Sequence, residues 1–424
     1  MAQIDALAAS ADRAAAVETI LDVTGNPAVV RPAILDNPDK GDWEKWFEVT
    51  KWWLERMRTV PNGLAEKMAL FWHTHFATSL EKVGNMGLMY DQNQLFRTQG
   101  LGSFRALTQA MALQPAMLHY LDNDPNVKGT PNENFARELM ELFTLGVNQY
   151  TQDDVAASAR AWTGYNTDDA TGLVYTYYPN RHDNGLKTFM GITQNWNGPM
   201  IIDHILTVDP HRTTAARFIA NKLWGFLAYP APETAVLDAI SAAFVASDLD
   251  ITALLRAIFL RDEFYSTKAR TGLVRTPTEW VVAGLKATGV TGAVANAPWW
   301  MEDMGQQLFY APNVAGWKQN AYWISTTSVW ARAGFMNYLN WKAHQMVPDH
   351  PFLEEVKALP IPDAVQLAFD RFMLDSASTA LRTDMTNWLT AQRAAEGKPE
   401  YAWKNYEHLG LVSLIMLSPD FQLA

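Results

Sequence analysis

A run of fifteen residues, Asn132-Glu133-Asn134-Phe135-Ala136-Arg137-Glu138-Leu139-Met140-Glu141-Leu142-Phe143-Thr144-Leu145-Gly146, narrows the choice of fold more than any other stretch. Its apolar positions recur at helical spacing. Set about 100° apart around an axis, Phe135, Leu139, Leu142, Phe143 and Leu145 form one arc. Glu133, Arg137 and Glu141 lie outside it at i, i+4 steps, an ordinary salt-bridge ladder worth only tenths of a kcal/mol. Glu138 falls inside the arc, between Leu142 and Leu145. A carboxylate there needs a partner, a proton or a task. Either it clamps an arginine (Arg137, Arg160 or Arg217), or it serves a reaction or a metal.

Helical spacing continues along most of the chain. It predicts helices over 42–60, 64–82 and 102–121, the last broken near Gln114-Pro115. Thr151-Gln152-Asp153-Asp154 reads as a capping box that opens a helix running to about Thr163 and stopping at Gly164. Further helices are expected over 213–227, 234–244, 251–264, 277–289, 326–346, 363–372, 376–395 and 402–417. Between them the texture changes. Leu173 to Tyr178 is β-prone, turn formers follow, and Lys187 to Met190 reads as a return strand. The expected fold is mainly α, a multi-helix globular fold with one small β-hairpin insertion at about 166–199. Pro and Gly concentrate at 289–317. This suggests an N-terminal helical segment over 1–59, a main helical lobe over 60–290 and a C-terminal helical lobe over 291–424.

The net charge of −11 argues against nucleic acid as a partner. The absence of cysteine removes disulfides, thiolate nucleophiles and thiolate metal ligands. No stretch reads as a signal peptide or a transmembrane segment. Location is therefore open. Tryptophan is abundant at 17 residues, which builds either a large aromatic core or stacking walls for sugar rings.

Two histidines, His73 and His75, stand at i, i+2. On a helix they point about 200° apart, so both cannot bind one ion. His75 lies nearer the middle of the apolar face and is the better candidate for an acid, base or ligand. The ordinary alternative is a satisfied buried histidine. His182-Asp183 sits in the expected hairpin turn, where a loop would deliver an imidazole and a carboxylate together. Turn chemistry alone also explains that pair. Asn313-Val314-Ala315-Gly316-Trp317 reads as a tight loop whose Gly permits close backbone approach. There is no G-x-S-x-G, Walker loop, dinucleotide fingerprint or H-E-x-x-H.

These segments, in this order, resemble a large bacterial family, the domain-of-unknown-function family numbered eighteen hundred. The resemblance rests on the run from Phe71 to Phe76, the run from Asn132 to Gly146, and Tyr150 to Val155. It continues through Ala161 to Tyr165, His182 to Gly191 and Ala216 to Trp224, and ends with Pro312 to Trp317. It implies proteins that are often exported and commonly encoded beside a sulfatase-like family, with no established reaction to carry over. The chain departs from the family pattern at a short N-terminal segment, at Gly225 where a basic residue is usual, and at Ala311 and Ala315.

Two functions follow. In the first, His75, Glu138, His182 and Asp183 converge on a buried catalytic site. They hold a divalent metal, or Glu138 and Asp183 act as a carboxylate pair. Arg137, Arg217, Trp162, Trp317 and Asn313 would bind substrate. Hydrolysis or lysis of an extracellular polymer such as a polysaccharide is the expected reaction, and a sulfatase-like protein encoded nearby an expected partner. In the second, the chain is a non-catalytic secreted binding or matrix protein, and the same residues form structural ion pairs.

Overall fold

The computed structural model describes residues 12–346, 351–374, 377–395 and 406–423. The first eleven residues, where the alanine-rich start lies, and the beginnings of the helices expected at 376 and 402 fall outside the described residues. The described residues open with α1 (Arg13–Leu21), α2 (Asp42–Thr59), α3 (Leu64–His75), α4 (Leu80–Val83), α5 (Met86–Gln99), α6 (Phe104–Ala112) and α7 (Pro115–Tyr120). α8 (Asn134–Glu138) runs into a π-helix, Leu139–Thr144, followed by α9 (Gln152–Ala161). After four short strands come α10 (Gly198–Thr207), α11 (His211–Leu227), α12 (Thr234–Ala246), α13 (Ile251–Phe259), α14 (Thr267–Arg270) and α15 (Pro277–Thr288). α16 (Ala297–Asp303), α17 (Thr326–Gln345), α18 (Pro351–Ala358), α19 (Ile361–Phe372), α20 (Thr379–Ala395), α21 (Tyr406–Leu417) and α22 (Pro419–Gln422) complete it.

The mainly α architecture matches the expectation, and the capping boxes at Thr151/Asp154 and Thr276/Glu279 open α9 and α15. Among the described residues one continuous apolar core runs from Val17 to Phe421. Among the described residues, no helix is long and apolar enough to cross a membrane.

Three local outcomes differ from the sequence reading. The expected helix 64–82 stops at His75, because Ser79 bridges to Tyr310 and the Leu80 N–H donates to the Phe309 carbonyl at 2.8 Å. The insertion contains two hairpins in place of one. β1 (Tyr165–Thr167) pairs with β2 (Tyr175–Tyr177), and β3 (Lys187–Phe189) pairs with β4 (Ile192–Gln194), both antiparallel. Asp168 closes the first by accepting from the N–H groups of Leu173 and Val174 through Oδ1. The second turns on Met190 and Gly191, both at positive φ (48° and 79°), as a two-residue hairpin loop requires. The third difference is the π-helix, which sets the candidate site.

Candidate functional site

The expected single helix over 132–146 is α-helical only to Glu138. From Leu139 the turn widens. Thr144 Oγ1 donates to the Leu139 carbonyl at 2.6 Å, and the N–H groups of Leu145 and Gly146 both donate to Met140 O. A turn widened in this way leaves later carbonyls without helical donors. Two outside groups take them: Lys222 Nζ donates to Leu142 O at 3.3 Å, and His75 Nε2 donates to Phe143 O at 3.1 Å. π-turns of this kind are frequent at functional sites.

Glu138 stands at the α–π junction and is half-buried. Burial and the neighbouring Glu141 carboxylate push its pKa up, against a smaller opposite pull from Arg137. No hydrogen bond or ion pair holds its carboxyl among the described residues. Glu141 differs: it accepts a short hydrogen bond from the Tyr150 hydroxyl. Burial and Glu141 push the Tyr150 phenol up to about 12. Burial also raises Tyr120, with Glu138 and Glu81 adding to the effect. The site is thus a carboxyl pair flanked by two phenols, with one carboxyl anchored and the other unpartnered.

His75, His182 and Asp183 do not join it. His75 is buried in a box of Phe71, Trp72, Phe76, Phe104 and Phe143. Burial, with Lys222 adding, drives its pKa well below the usual histidine value. It is a neutral donor that caps the π-turn, and its Nδ1 has no partner. His182 donates from Nδ1 to Thr163 O at 2.8 Å and packs on Tyr165 and Tyr177. Asp183 accepts from Arg160 Nε at 2.7 Å, and Oδ1 accepts from the Gly185 N–H. Lys187, almost wholly buried, donates to the carbonyls of Asp183 and Gly185 and to Asn195 Oδ1. That cage ties the loop into a rigid turn. Among the described residues no three His, Asp or Glu side chains stand together as a metal-binding group. The expected four-residue ligand set is therefore not assembled, because each imidazole is committed to a backbone carbonyl and Asp183 to Arg160.

The expected substrate-binding residues also serve elsewhere, except Arg137. Arg137 lies beside the pair but binds Glu133 at 3.0 Å and Gln152 at 2.9 Å. Arg217 forms a surface ion pair with Asp238. Trp162 is fully buried against Phe135 and Tyr165. Trp317 packs in a small cluster with Ala77, Ala311 and Trp323. Asn313 is exposed and closes its own turn by accepting from the Ala315 N–H at 2.9 Å. Two open hollows of about 480 Å³ each lie apart from the pair, one between Trp52 and Gly292, the other around Asn26 and Asn62.

Residues 2–423 match the family described as Protein of unknown function (DUF1800). The chain belongs to this family. No curated protein and no solved structure matches it. Three of the segments of this DUF1800 chain that carried the resemblance meet in space at the π-turn: α3 supplies His75, α11 supplies Lys222, and the run 132–146 supplies the carbonyls. Lys222, which burial pushes down to about 8, stands one turn before Gly225, the position where the family pattern has a basic residue. Ala311 belongs to the packed cluster under Trp317, and Ala315 is exposed.

His75→Ala is expected to destabilise the fold by about 2–4 kcal/mol, from a buried carbonyl left unpaired and a cavity in the aromatic box. His75→Gln, which keeps a donor, should lose less. Urea unfolding of the two variants checks the order, and equal losses would contradict the capping role.

Proposed function

We propose that this protein is an acid–base enzyme whose reacting groups are Glu138 and Glu141, cleaving a polysaccharide by hydrolysis or lysis. The observation that carries this reading is the Glu138 carboxyl, raised in pKa beside a second carboxylate and left without a partner. A structural glutamate would be expected to hold an arginine or backbone donors, as Glu66 and Asp183 do. In the proposed reaction neutral Glu138 gives its proton to the leaving glycosidic oxygen. As the C–O bond breaks, Glu141, oriented by Tyr150, faces the positive charge that develops at the sugar carbon, and water then adds there and returns a proton to Glu138. In lysis Glu141 instead takes the ring C–H proton whose loss leaves the double bond. A carboxyl raised by burial beside a second carboxylate suits the role of the acid.

Glu138→Gln is the test. Activity, read as new reducing ends for hydrolysis or ultraviolet-absorbing unsaturated ends for lysis, should fall by roughly 10²–10⁴-fold. The melting temperature should hold or rise slightly, because the substitution breaks no ion pair. Wild-type activity should decline as pH rises through the raised pKa of Glu138, since the acid must be protonated. Retained activity in the variant would refute the assignment.

A second reading, a non-catalytic binding or matrix protein, draws on the commitment of His75, His182 and Asp183 to structural partners. Binding of polysaccharide with no cleavage of any tested polymer would favour it.

A further inference from the structure

α17 has apolar residues on all sides, and much of that surface is left open. Trp330 is 70% exposed and Trp341 49% exposed. Eleven residues apart, they lie only about 20° apart around the helix and about 16 Å apart along it. Gly334 and Tyr338 stand between them on the same stripe. Gly334 is the seat of a third indole: a side chain there would overlap the ring of Trp300 from α16, which is half-buried. Tyr338 and Trp341 are in ring contact at 5.9 Å. Trp330, Trp300, Tyr338 and Trp341 thus make a row of rings. The neighbouring Trp299 carries aromatic surface on to Trp43 and Phe47 of α2.

α16, which carries Trp299 and Trp300, ends in the exposed carboxylates Glu302 and Asp303, so the positive charge of the face lies on the α17 side. α17 contains no Asp or Glu, although the chain as a whole has a net charge of −11. Lys342 Nζ lies 4.5 Å from the Trp341 ring centroid, and Lys318 Nζ lies 5.4 Å from that of Tyr322. Glu302 of α16 acts on Tyr310, toward α2.

We infer that the α17 row is a binding face for an anionic polysaccharide, with sugar rings stacked on Trp330, Trp300 and Trp341 and their carboxylate or sulfate groups paired with Lys342 and Lys318. A pyranose offers both chemistries at once, an apolar C–H face for an indole and a ring substituent for an ammonium. A second copy of the chain fits worse, because a two-fold contact sets a face against itself and these lysines would meet like charge. An anionic membrane is left to the vesicle arm of the experiment, because the net charge of the whole chain opposes a membrane and an acidic polymer alike. The inference rests on the polysaccharide reading above and narrows the polymer to an acidic one.

The experiment is affinity electrophoresis of the full chain carrying Glu138→Gln, in gels containing polygalacturonate or a neutral glucan, so that binding is read without cleavage. Retardation in polygalacturonate, absent in the neutral gel, is expected. Trp330→Ala together with Trp341→Ala should weaken it by roughly tenfold or more, the equivalent of about one stacking contact, and Lys342→Glu should weaken it also. Both tryptophans are largely exposed, so circular dichroism should show both variants folded. Equal retardation of the variants, retardation only in the neutral glucan, co-sedimentation with phosphatidylglycerol vesicles in its place, or a dimer that the tryptophan variants dissociate would each overturn the inference. Binding retained with no cleavage by the wild type would overturn the catalytic reading and leave this one standing.

Discussion

Glu66→Gln is expected to lower the stability of the fold by about 3–5 kcal/mol, the scale for breaking a buried charge network by removing one partner. Glu66 is 2% exposed and accepts four hydrogen bonds. Arg97 grips both oxygens, with Nε on Oε1 and Nη2 on Oε2, each at 2.7 Å. Arg56 Nε adds a bond at 2.6 Å and Trp53 Nε1 one at 2.9 Å. Burial raises the pKa of the carboxyl, but the two guanidinium groups outweigh it and the net shift is downward. The glutamine amide keeps the shape and loses the charge. Its NH₂ then faces donors with nothing to donate to, and two arginines lose their counter-ion. Three early helices, α2, α3 and α5, are joined at this point, so the loss should appear as a lower urea midpoint with an unchanged slope. Glu48→Gln is the control. Its pair with Lys51 is half-exposed on one helix and should cost under about 1 kcal/mol. Similar losses for the two variants would mean that Glu66 is not a structural anchor.

Glu66 also shows how far angular reckoning reaches. Glu66 lies on one stripe of α3 with Leu70 and His73, at steps of four and three residues. Glu138 was legible as a carboxylate on an apolar face, and Glu66, open to the same reckoning, was not singled out. Their difference was not legible, because it lies in arginines brought from α2 and α5, which no local pattern connects to Glu66. The fold class and most helices were legible because spacing, capping boxes and Pro/Gly punctuation are local signals. The π-turn was not, since it depends on Lys222 and His75 arriving to hold two carbonyls. The hairpin pairing was missed because Met190-Gly191 lacks the usual Asn-Gly or Asp-Gly signal, although its backbone adopts that kind of turn. His182-Asp183 looked like a delivered acid–base pair. The deciding partners, Thr163, Arg160 and Lys187, turn the same residues into a brace for the insertion.

Acid should destabilise this protein well above the carboxylate range, with histidine as the cause. His73 is buried, accepts the Phe309 N–H on Nε2 at 3.0 Å, and is pushed down to about 3 by burial. His75 is driven well below its usual value in the same way. Both stay neutral in the folded chain, while in the unfolded chain each takes a proton near pH 6.5. Their contribution is thus fully present above about pH 6.5 and is lost as pH falls toward the folded values, because the unfolded state then binds more protons. Both act in the same direction, each lowering stability as pH falls below 6.5. His119 has the opposite sign. Its pair with Asp124 raises its pKa, so its contribution is present in acid and lost as pH rises through the raised value. It therefore takes nothing away in the acid window. Buried carboxylates such as Glu66 add the same sign as His73 and His75, but only below their own unfolded values near 4.3. Between pH 6.5 and 4.5 His204 and His211, also lowered by burial, add the same sign, and the raised Glu138 opposes them. Urea unfolding at steps across that interval should give a falling line, and His73→Gln and His75→Gln, which cannot titrate, should each flatten it. A line whose slope neither variant changes would mean that the two imidazoles are not held neutral in the fold.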